Sequence, residues 1–253
     1  MTARANVATI ACVVAVLQMA PVQAAEIRII AATPMGAVVR HIGAEFERDT
    51  SHRLVMRFVA GPAVKRDIDS GQPFDVAISI TPVIDALLKD GKLVPATRAD
   101  IAYAGIGVGV RKGAPKPDIG TVAAFRQALL SAKSVAHSAD GASGDYFKRL
   151  LARLEIADQM QPKLRPMSPD ALAKAVPSGA AEMIVVTASI IVDGAAELVG
   201  PVPQALQFYN RFAGGIGVNA DQPDAAKAFL ARLIAPQAAA AIKARGMEPG
   251  VPR

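Results

Sequence analysis

The sequence predicts an α/β protein of two lobes, each a mostly parallel sheet flanked by helices, with two crossover strands between the lobes. Short apolar runs alternate with amphipathic helical patterns, which is typical of parallel sheets covered on both faces. A small or hydroxyl residue precedes proline where such a run gives way to a helix, at Thr33, Gly61, Thr81 and Ser168, which predicts these residues as helix N-caps with proline in the first helical position. Two glycine-rich strand patterns, one early and one late, predict the connections between the lobes.

The first lobe begins with three strand–helix units. Helical spacing of Val38, Val39, Ile42 and Phe46 on one face predicts the first helix. The second helix follows Gly61 and the third ends near residue 90. The predicted strands of these units cover residues 27–32, 54–59 and 74–80.

Glycine-rich strands are predicted over residues 101–110 and 214–218. No helix opens after the first glycine run, so a dinucleotide loop is a weak interpretation, and glycine inside a strand more often marks close backbone approach. Between them lies a second α/β set, and two helices follow at the end of the chain. We therefore predict one lobe from residues 25–104 and 212–253 and the other from residues 105–211.

Residues 1–24 have the pattern of an export signal. Arg4 gives a short positive region, residues 7–17 are apolar, and small residues end at Ala24, where we expect cleavage. The mature protein is then expected to be periplasmic. Its only cysteine, Cys12, lies in the signal, so disulfides and thiolate chemistry are excluded from the mature chain.

The composition also excludes other classes of function. The formal charge is +6, but the basic residues are scattered, and three Tyr and no Trp offer little base stacking, so we expect no nucleic-acid partner. His41, His52 and His137 have no metal-site spacing, and we expect neither a metal nor a cofactor. We expect a monomer.

Ligands of parallel α/β sheets bind where strands end and helices begin, and helix N-termini favour anions there. The sequence therefore predicts a small anionic ligand, which a positive net charge would help to attract. Lys65, in the first turn of a helix, is a weaker candidate. The candidate binding residues are Thr33, Gly61, Pro62, Ala63, Val64, Ser79, Ser138, Gly141, Ser143, Gly144, Thr187, Tyr209 and Arg211.

The order of these segments resembles the periplasmic solute-binding proteins, most closely the molybdate-binding branch, over nearly the whole mature chain. The resemblance lies in residues 30–33, 58–61, 74–79, 141–154 and 228–230. It implies a two-lobed fold that closes on a small anion and delivers it to the membrane permease of an ABC-type importer.

The binding pattern of that branch is only partly kept. Thr33 keeps a hydroxyl where the family has a serine, but Ala60, Gly61 and Pro62 stand where it has serines after the second strand. Val186 stands where it has a tyrosine, beside Thr187, and a backbone donor of the pattern falls close to Pro169, which has no N–H. We therefore expect an organic acid more than molybdate.

A second resemblance gives an alternative function. Exported proteins similar to the molybdate binders include an isomerase of aconitate, a tricarboxylic acid whose double bond moves by proton abstraction and return. The loop before Tyr146 and the segment 201–209 resemble that wider branch. For such an enzyme His137 and Tyr209 are the candidate acid and base groups, since the function needs a proton carrier near the substrate.

Overall fold

One continuous set of strand pairings runs through the computed structural model, which describes residues 24–250 apart from the side chain of Pro169. Ten strands form within these residues: β1 (Glu26–Ala32), β2 (Arg53–Val59), β3 (Val76–Ile80), β4 (Ala99–Val110), β5 (Val135–Ser138), β6 (Leu164–Met167), β7 (Met183–Thr187), β8 (Glu197–Pro201), β9 (Tyr209–Ile216) and β10 (Glu248–Pro249).

The strand order is β2-β1-β3-β9-β4-β7-β5-β6, and β8 and β10 also pair with β4. The pairs at each end, β2-β1-β3 and β7-β5-β6, are parallel, whereas every pair that includes β4 or β9 is antiparallel. Each lobe thus has a parallel set of three strands bordered by antiparallel strands, and the predicted two-lobed fold class is confirmed.

The two long strands β4 and β9 connect the lobes, as predicted from the glycine-rich runs. The first part of β4, Ala99–Gly105, pairs with β9, and its second part, from Ile106 to Val110, pairs with β7. Strand β9 begins at Tyr209, five residues earlier than predicted. The exact lobe limits stay a prediction, although the change of partner in β4 falls next to the predicted limit at 104/105.

Helices cover both faces of the sheets. Most follow a strand directly, as the alternating pattern predicts, and short 3-10 helices lie at Thr33–Met35, Pro95–Thr97, Gln161–Lys163 and Gln204–Leu206. The α-helices are α1 (Gly36–Thr50), α2 (Gly61–Asp69), α3 (Thr81–Lys89), α4 (Val122–Ser131), α5 (Ala142–Arg153), α6 (Ala157–Met160), α7 (Pro169–Ala175), α8 (Ala188–Asp193), α9 (Pro223–Ile234) and α10 (Ala238–Lys243).

Each lobe has its own apolar core. Phe46 of α1 packs edge-to-face on Phe229 of α9 in the first lobe, with ring centroids 5.4 Å apart. In the second lobe Phe125 and Phe147 are fully buried against β5 and β7. The apolar face predicted for α1 is buried throughout, since burying such a face stabilises a helix in water more than its intrinsic propensity does.

The predicted role of the residues before proline is wrong in detail. At Thr33, Gly61 and Thr81 the helix begins one residue earlier than predicted, so that proline occupies its second position. The hydroxyls cap no helix: that of Thr33 donates to the carbonyl of Val59 and that of Thr81 to the carbonyl of Arg211. Ser168 does precede α7 directly, but its side chain forms no capping bond either.

The predicted export signal lies outside the described residues except for Ala24. Within the described part of the chain, no helix combines the length and apolar character that crossing a membrane requires.

Candidate functional site

A cavity lies where the two lobes meet, at the carboxyl ends of parallel strands from both sheets. It contains about 440 Å³ of empty space, part of which is open to solvent. Residues at or just after the ends of β1, β2, β3, β5 and β7 line it, as expected for ligand sites of parallel α/β sheets.

The lining divides into two walls and a strand between them. Asn210 and Phe212 belong to β9, the strand that connects the lobes. The first-lobe wall consists of Ala32, Thr33, Pro34, Ala60, Gly61 and Ile80. The second-lobe wall consists of Ser138, Asp140, Gly141, Ala142, Ser143, Leu172, Thr187 and Ile190.

Four helices begin at the cavity, and none of these beginnings has a side-chain cap. They are the 3-10 helix that starts at Thr33, and α2, α5 and α8, which start at Gly61, Ala142 and Ala188. Uncapped N-termini offer N–H donors and partial positive charge to an anion. Since Asp140 is the one charged side chain among the described lining residues, the positive potential comes from the backbone.

The second-lobe wall presents free hydroxyls. Ser138 and Ser143 are 7% and 6% exposed and line the cavity, and neither hydroxyl bonds to a described residue. The loop that carries them is tightly closed, because a Cβ added to Gly144 would lie 2.0 Å from the carbonyl oxygen of Ser138. Only glycine therefore lets α5 begin so close to the end of β5.

Thr187 and Asn210 form a buried polar pair at the cavity. Nδ2 of Asn210 donates to Oγ1 of Thr187 over 2.8 Å, and the two residues are 4% and 0% exposed. The other half of the amide has no described partner. The pair joins β9 to the end of β7 and keeps polar atoms at an otherwise apolar junction.

The hydroxyls of the first lobe are already bonded within the protein. Thr33 Oγ1 donates to the carbonyl of Val59 over 3.1 Å. Ser79 is fully buried, and its hydroxyl donates to the carbonyl of Gly61 over 2.9 Å. These groups therefore tie the ends of β1 and β3 to the turn between β2 and α2, and they offer no hydrogen to a ligand.

Six predicted binding residues line the cavity: Thr33, Gly61, Ser138, Gly141, Ser143 and Thr187. The others are not among its lining residues, namely Pro62, Ala63, Val64, Ser79, Gly144, Tyr209 and Arg211.

The predicted residues outside the lining have other positions in the fold. Ala63 and Val64 are buried in α2, and the N–H of Ala63 donates to the carbonyl of Ala60 rather than remaining free. Tyr209 and Arg211 are exposed, and the ring of Tyr209 packs edge-to-face on Tyr103. Both alternate along β9 with the residues that face the cavity.

His137 also does not line the cavity. It is 2% exposed and lies beside Phe147, with ring centroids 5.6 Å apart. Burial lowers the pKa of its imidazole, although the hydrogen bond from Nδ1 to the carbonyl of Ser138 opposes this shift. A neutral, buried ring of this kind is part of the core and not a proton carrier for a ligand.

Asp140 and Asn210 are the polar lining residues that the sequence prediction missed. Asp140 lies in the loop that the Ser and Gly pattern had identified, so its position was available from the sequence. Asn210 gave no comparable signal, because a single polar residue in an apolar strand has many explanations. The apolar lining residues were also missed, because an apolar residue at a strand end looks like core.

Two basic residues outside the cavity lining, Arg40 and Lys65, form ion pairs. Arg40 of α1 pairs with Asp193 of α8 over 2.7 Å and so joins the lobes, and its guanidinium lies 5.0 Å from the ring centroid of Phe58. Lys65 pairs with Asp69 and Asp90 and does not line the cavity. No group of metal-ligating side chains is found among the described residues.

Gln207 supports the point where β4 changes partner. Its Oε1 accepts from the N–H of Ile106 over 2.7 Å, and its Nε2 donates to the carbonyl of the same residue over 3.1 Å. A Cβ on Gly105 would lie 3.0 Å from this amide, so glycine makes room for it.

The chain is similar to known proteins over most of its length. A family model described as bacterial extracellular solute-binding protein matches residues 27–248. An aconitate isomerase from Pseudomonas sp is 30% identical over 221 residues, which is 83% of each chain.

Among solved structures, the periplasmic molybdate-binding protein of Azotobacter vinelandii is similar with a TM-score of 0.76 and 20% identity, over 90% of this chain and all of that one. AgtB from A. tumefaciens R10, solved in complex with agropinic acid, has a TM-score of 0.67 and 12% identity, over 89% of this chain and 83% of that one.

Proposed function

We propose that this chain, which belongs to the bacterial extracellular solute-binding protein family, captures a small organic anion between its two lobes. The observation that carries this proposal is the convergence of four helix beginnings without side-chain caps, from both lobes, on one cavity that has no basic residue among its described lining residues. An anion held by backbone donors of both lobes stabilises the closed form, since closure brings the two sets of donors together.

The lining favours an organic acid over molybdate. A tetrahedral oxyanion needs donors on every side, and each missing hydrogen bond to a charged group costs about 1.5–3 kcal/mol. The first-lobe wall is mostly apolar and its Thr33 hydroxyl is already bonded to Val59. A carbon skeleton would fill that side, and the carboxylate would lie against Ser138, Ser143 and the beginning of α5.

The proposed location of the protein and its membrane partner follow from this role. We propose export through residues 1–24 to the periplasm, and delivery of the ligand to the permease of an ABC-type importer. The extracellular description of the family supports export. We also propose that the protein is a monomer, because its two lobes can close around one ligand without a partner subunit.

A thermal-shift series on the mature protein tests the proposal. Molybdate, sulfate, succinate, malate, citrate and trans-aconitate are compared at equal ionic strength, since a ligand at 100 times its Kd stabilises by about 2.7 kcal/mol. We expect a carboxylic acid to give the largest shift. A larger shift with molybdate would contradict the organic-acid assignment, and no shift with any anion would contradict the proposed function.

A second candidate function is the isomerisation of aconitate, and the aconitate isomerase relative favours it. In that reaction a base removes a proton from the carbon next to the double bond, the electron pair moves through the allylic system, and the proton returns at the other end. His137 and Tyr209 do not line the cavity, whereas Asp140 does. Asp140 would therefore carry the proton.

The two functions separate in one assay. Purified protein is incubated with trans-aconitate, and ultraviolet absorbance reports conversion while calorimetry reports binding. Turnover that Asp140→Asn abolishes would support the isomerase. Binding of trans-aconitate without turnover would support the solute-binding function and contradict the isomerase.

A further inference from the structure

We infer that the cavity selects acids that carry a hydrogen-bond donor, a hydroxyl or an ammonium group, beside a carboxylate, and that Asp140 accepts from this donor. The inference rests on the proposed binding of an organic acid and specifies its chemical class. It starts from a side chain in the cavity whose charge is opposite to the one that an anion site calls for.

The carboxylate of Asp140 has no partner among the described residues. It is exposed and lines the cavity, and it takes part in no hydrogen bond and no ion pair within residues 24–250. It is also the one charged side chain among the described lining residues. A ligand that enters the cavity therefore meets an unpaired negative charge there.

This carboxylate lies beside the groups best placed to hold the ligand's own carboxylate. Ser138, Asp140 and Ser143 come from one short segment, between the end of β5 and the first turn of α5, and line the same cavity, and both serine hydroxyls are without described partners. A ligand carboxylate held by these hydroxyls would therefore lie in the part of the cavity that Asp140 also lines.

A ligand must satisfy both the donors at the beginning of α5 and the carboxylate of Asp140. A simple di- or tricarboxylate brings like charge against Asp140, and like charges at short range in a partly enclosed site repel. A hydroxyl or ammonium group on the carbon next to the ligand carboxylate replaces this repulsion with a charge-assisted hydrogen bond. Asp140 therefore weakens the binding of acids that lack such a donor.

Asn210 supports the same ligand class from the opposite side. One half of its amide is bonded to Thr187, and the other half has no described partner although the residue lines the cavity. A ligand with polar groups beyond its carboxylates would bond to this free half, whereas a purely hydrocarbon skeleton would displace solvent from it without supplying a partner, which is costly.

Matched pairs of acids test the inference by calorimetry. Malate is compared with succinate and citrate with tricarballylate, which differ by one hydroxyl, and aspartate with succinate, which differs by an ammonium group. A hydrogen bond to a charged group corresponds to about a 10- to 100-fold change in Kd. We expect at least one donor-bearing acid to bind about 10-fold or more tightly than its partner.

Substitution of Asp140 then assigns the preference. Asp140→Ala is expected to bring that ratio to about one, and Asp140→Asn, which keeps an acceptor without the charge, to an intermediate value. The matched control is Asp145→Asn. Asp145 is an exposed carboxylate in the first turn of α5, 4.0 Å from Lys148 and outside the cavity lining, and its ratio should equal that of the wild type.

The possible failures are distinct. If no acid of any kind binds the wild type, the proposed function fails. If acids bind but the matched pairs have equal Kd values, or if Asp140→Ala leaves their ratio unchanged, only the inference fails. The hydroxyl and ammonium pairs show which donor the site accepts, and either one supports the inference.

Discussion

The two walls of the cavity carry similar residue types but use them differently. On the first-lobe wall the hydroxyl of Thr33 is bonded to a backbone carbonyl, as is that of Ser79 behind it. On the second-lobe wall the hydroxyls of Ser138 and Ser143 have no described partner. Hydroxyl content therefore does not identify the recognition surface; the partner of each hydroxyl does. In the proposed function the second lobe holds the free hydroxyls that recognise the ligand, both lobes supply helix beginnings, and the first lobe adds an apolar surface.

The largest expected difference concerns the glycines that begin the helices of the two walls. Gly144→Ala places a Cβ against the backbone of Ser138 and should lower the free energy of unfolding by more than about 3 kcal/mol, because backbone cannot move aside cheaply. In Gly61→Ala the nearest atoms lie 3.6 Å away, so stability should stay within about 1 kcal/mol of the wild type. Urea unfolding without ligand measures both.

Equal effects of the two alanine substitutions would break the comparison. The second-lobe loop would then be loose enough to accept a side chain, and the close contact between Gly144 and Ser138 would not hold in solution.

The next effect concerns acid stability, where the first lobe holds a buried ion pair. Asp75 is fully buried and accepts hydrogen bonds from the Arg28 side chain and from the N–H groups of Arg28 and Asp221. Burial alone would raise the pKa of Asp75, but these hydrogen bonds and the Arg28 charge lower it below its ordinary 3.8. The stabilisation is thus present above pH 3.8 and is lost as the pH falls through the folded pKa.

Asp75→Asn should therefore cost about 1.5–3 kcal/mol at pH 7, because hydrogen bonds to a charged group are lost, whereas Arg28 is partly exposed and keeps its ion pair with Asp221. The variant should also show a weaker loss of stability below pH 3.8 than the wild type. Urea unfolding at pH 7 and at acid pH measures both effects, and Asp224→Asn, an exposed carboxylate of the same lobe, is the control. An unchanged acid limb in Asp75→Asn would show that other carboxylates govern acid unfolding.

The free hydroxyls give the next effect, on binding. Ser138→Ala and Ser143→Ala should each weaken binding of the best carboxylic acid by about 10- to 100-fold, since each removes a hydrogen bond to a charge. Ser79→Ala should change the affinity by less than about threefold and cost about 1 kcal/mol of stability instead, because its hydroxyl bonds Gly61. Calorimetry on the three variants compares them, and a reversed order would refute the comparison of the walls.

Thr33 gives the smallest expected effect and the sharpest test of the first-lobe wall. Thr33→Val removes the bond to Val59 and should cost about 1 kcal/mol of stability with less than about a threefold change in Kd. Thr33→Ser keeps the hydroxyl and serves as the control. A loss of affinity above about tenfold in Thr33→Val alone would make this hydroxyl a ligand group.

The sequence was sufficient for the elements and the fold class because these depend on burial patterns. The apolar face of α1 and the apolar run of β1 are buried as predicted. Strand ends were less predictable. β3 begins at Val76 and not at residue 74, because Asp75 turns its carboxylate to Arg28.

The candidate site was predicted in place but not in detail. Rules of parallel sheets bring Thr33, Gly61, Ser138, Ser143 and Thr187 to one edge, and they do line one cavity. What each side chain bonds depends on neighbours distant in sequence, such as Val59 for Thr33 or Asn210 for Thr187. Local sequence patterns contain no information on such partners. Hydroxyls that are bonded within the protein therefore could not be distinguished from free hydroxyls.

Gln207 has a mechanical consequence at the point where β4 changes partner. At Ile106 the Gln207 amide shares the backbone N–H with the carbonyl of Phe208, and it shares the backbone carbonyl with the N–H of Val202. Both backbone groups of this residue thus have a side-chain partner besides a backbone partner. A small rotation that lengthens either backbone bond would therefore leave neither group unpaired.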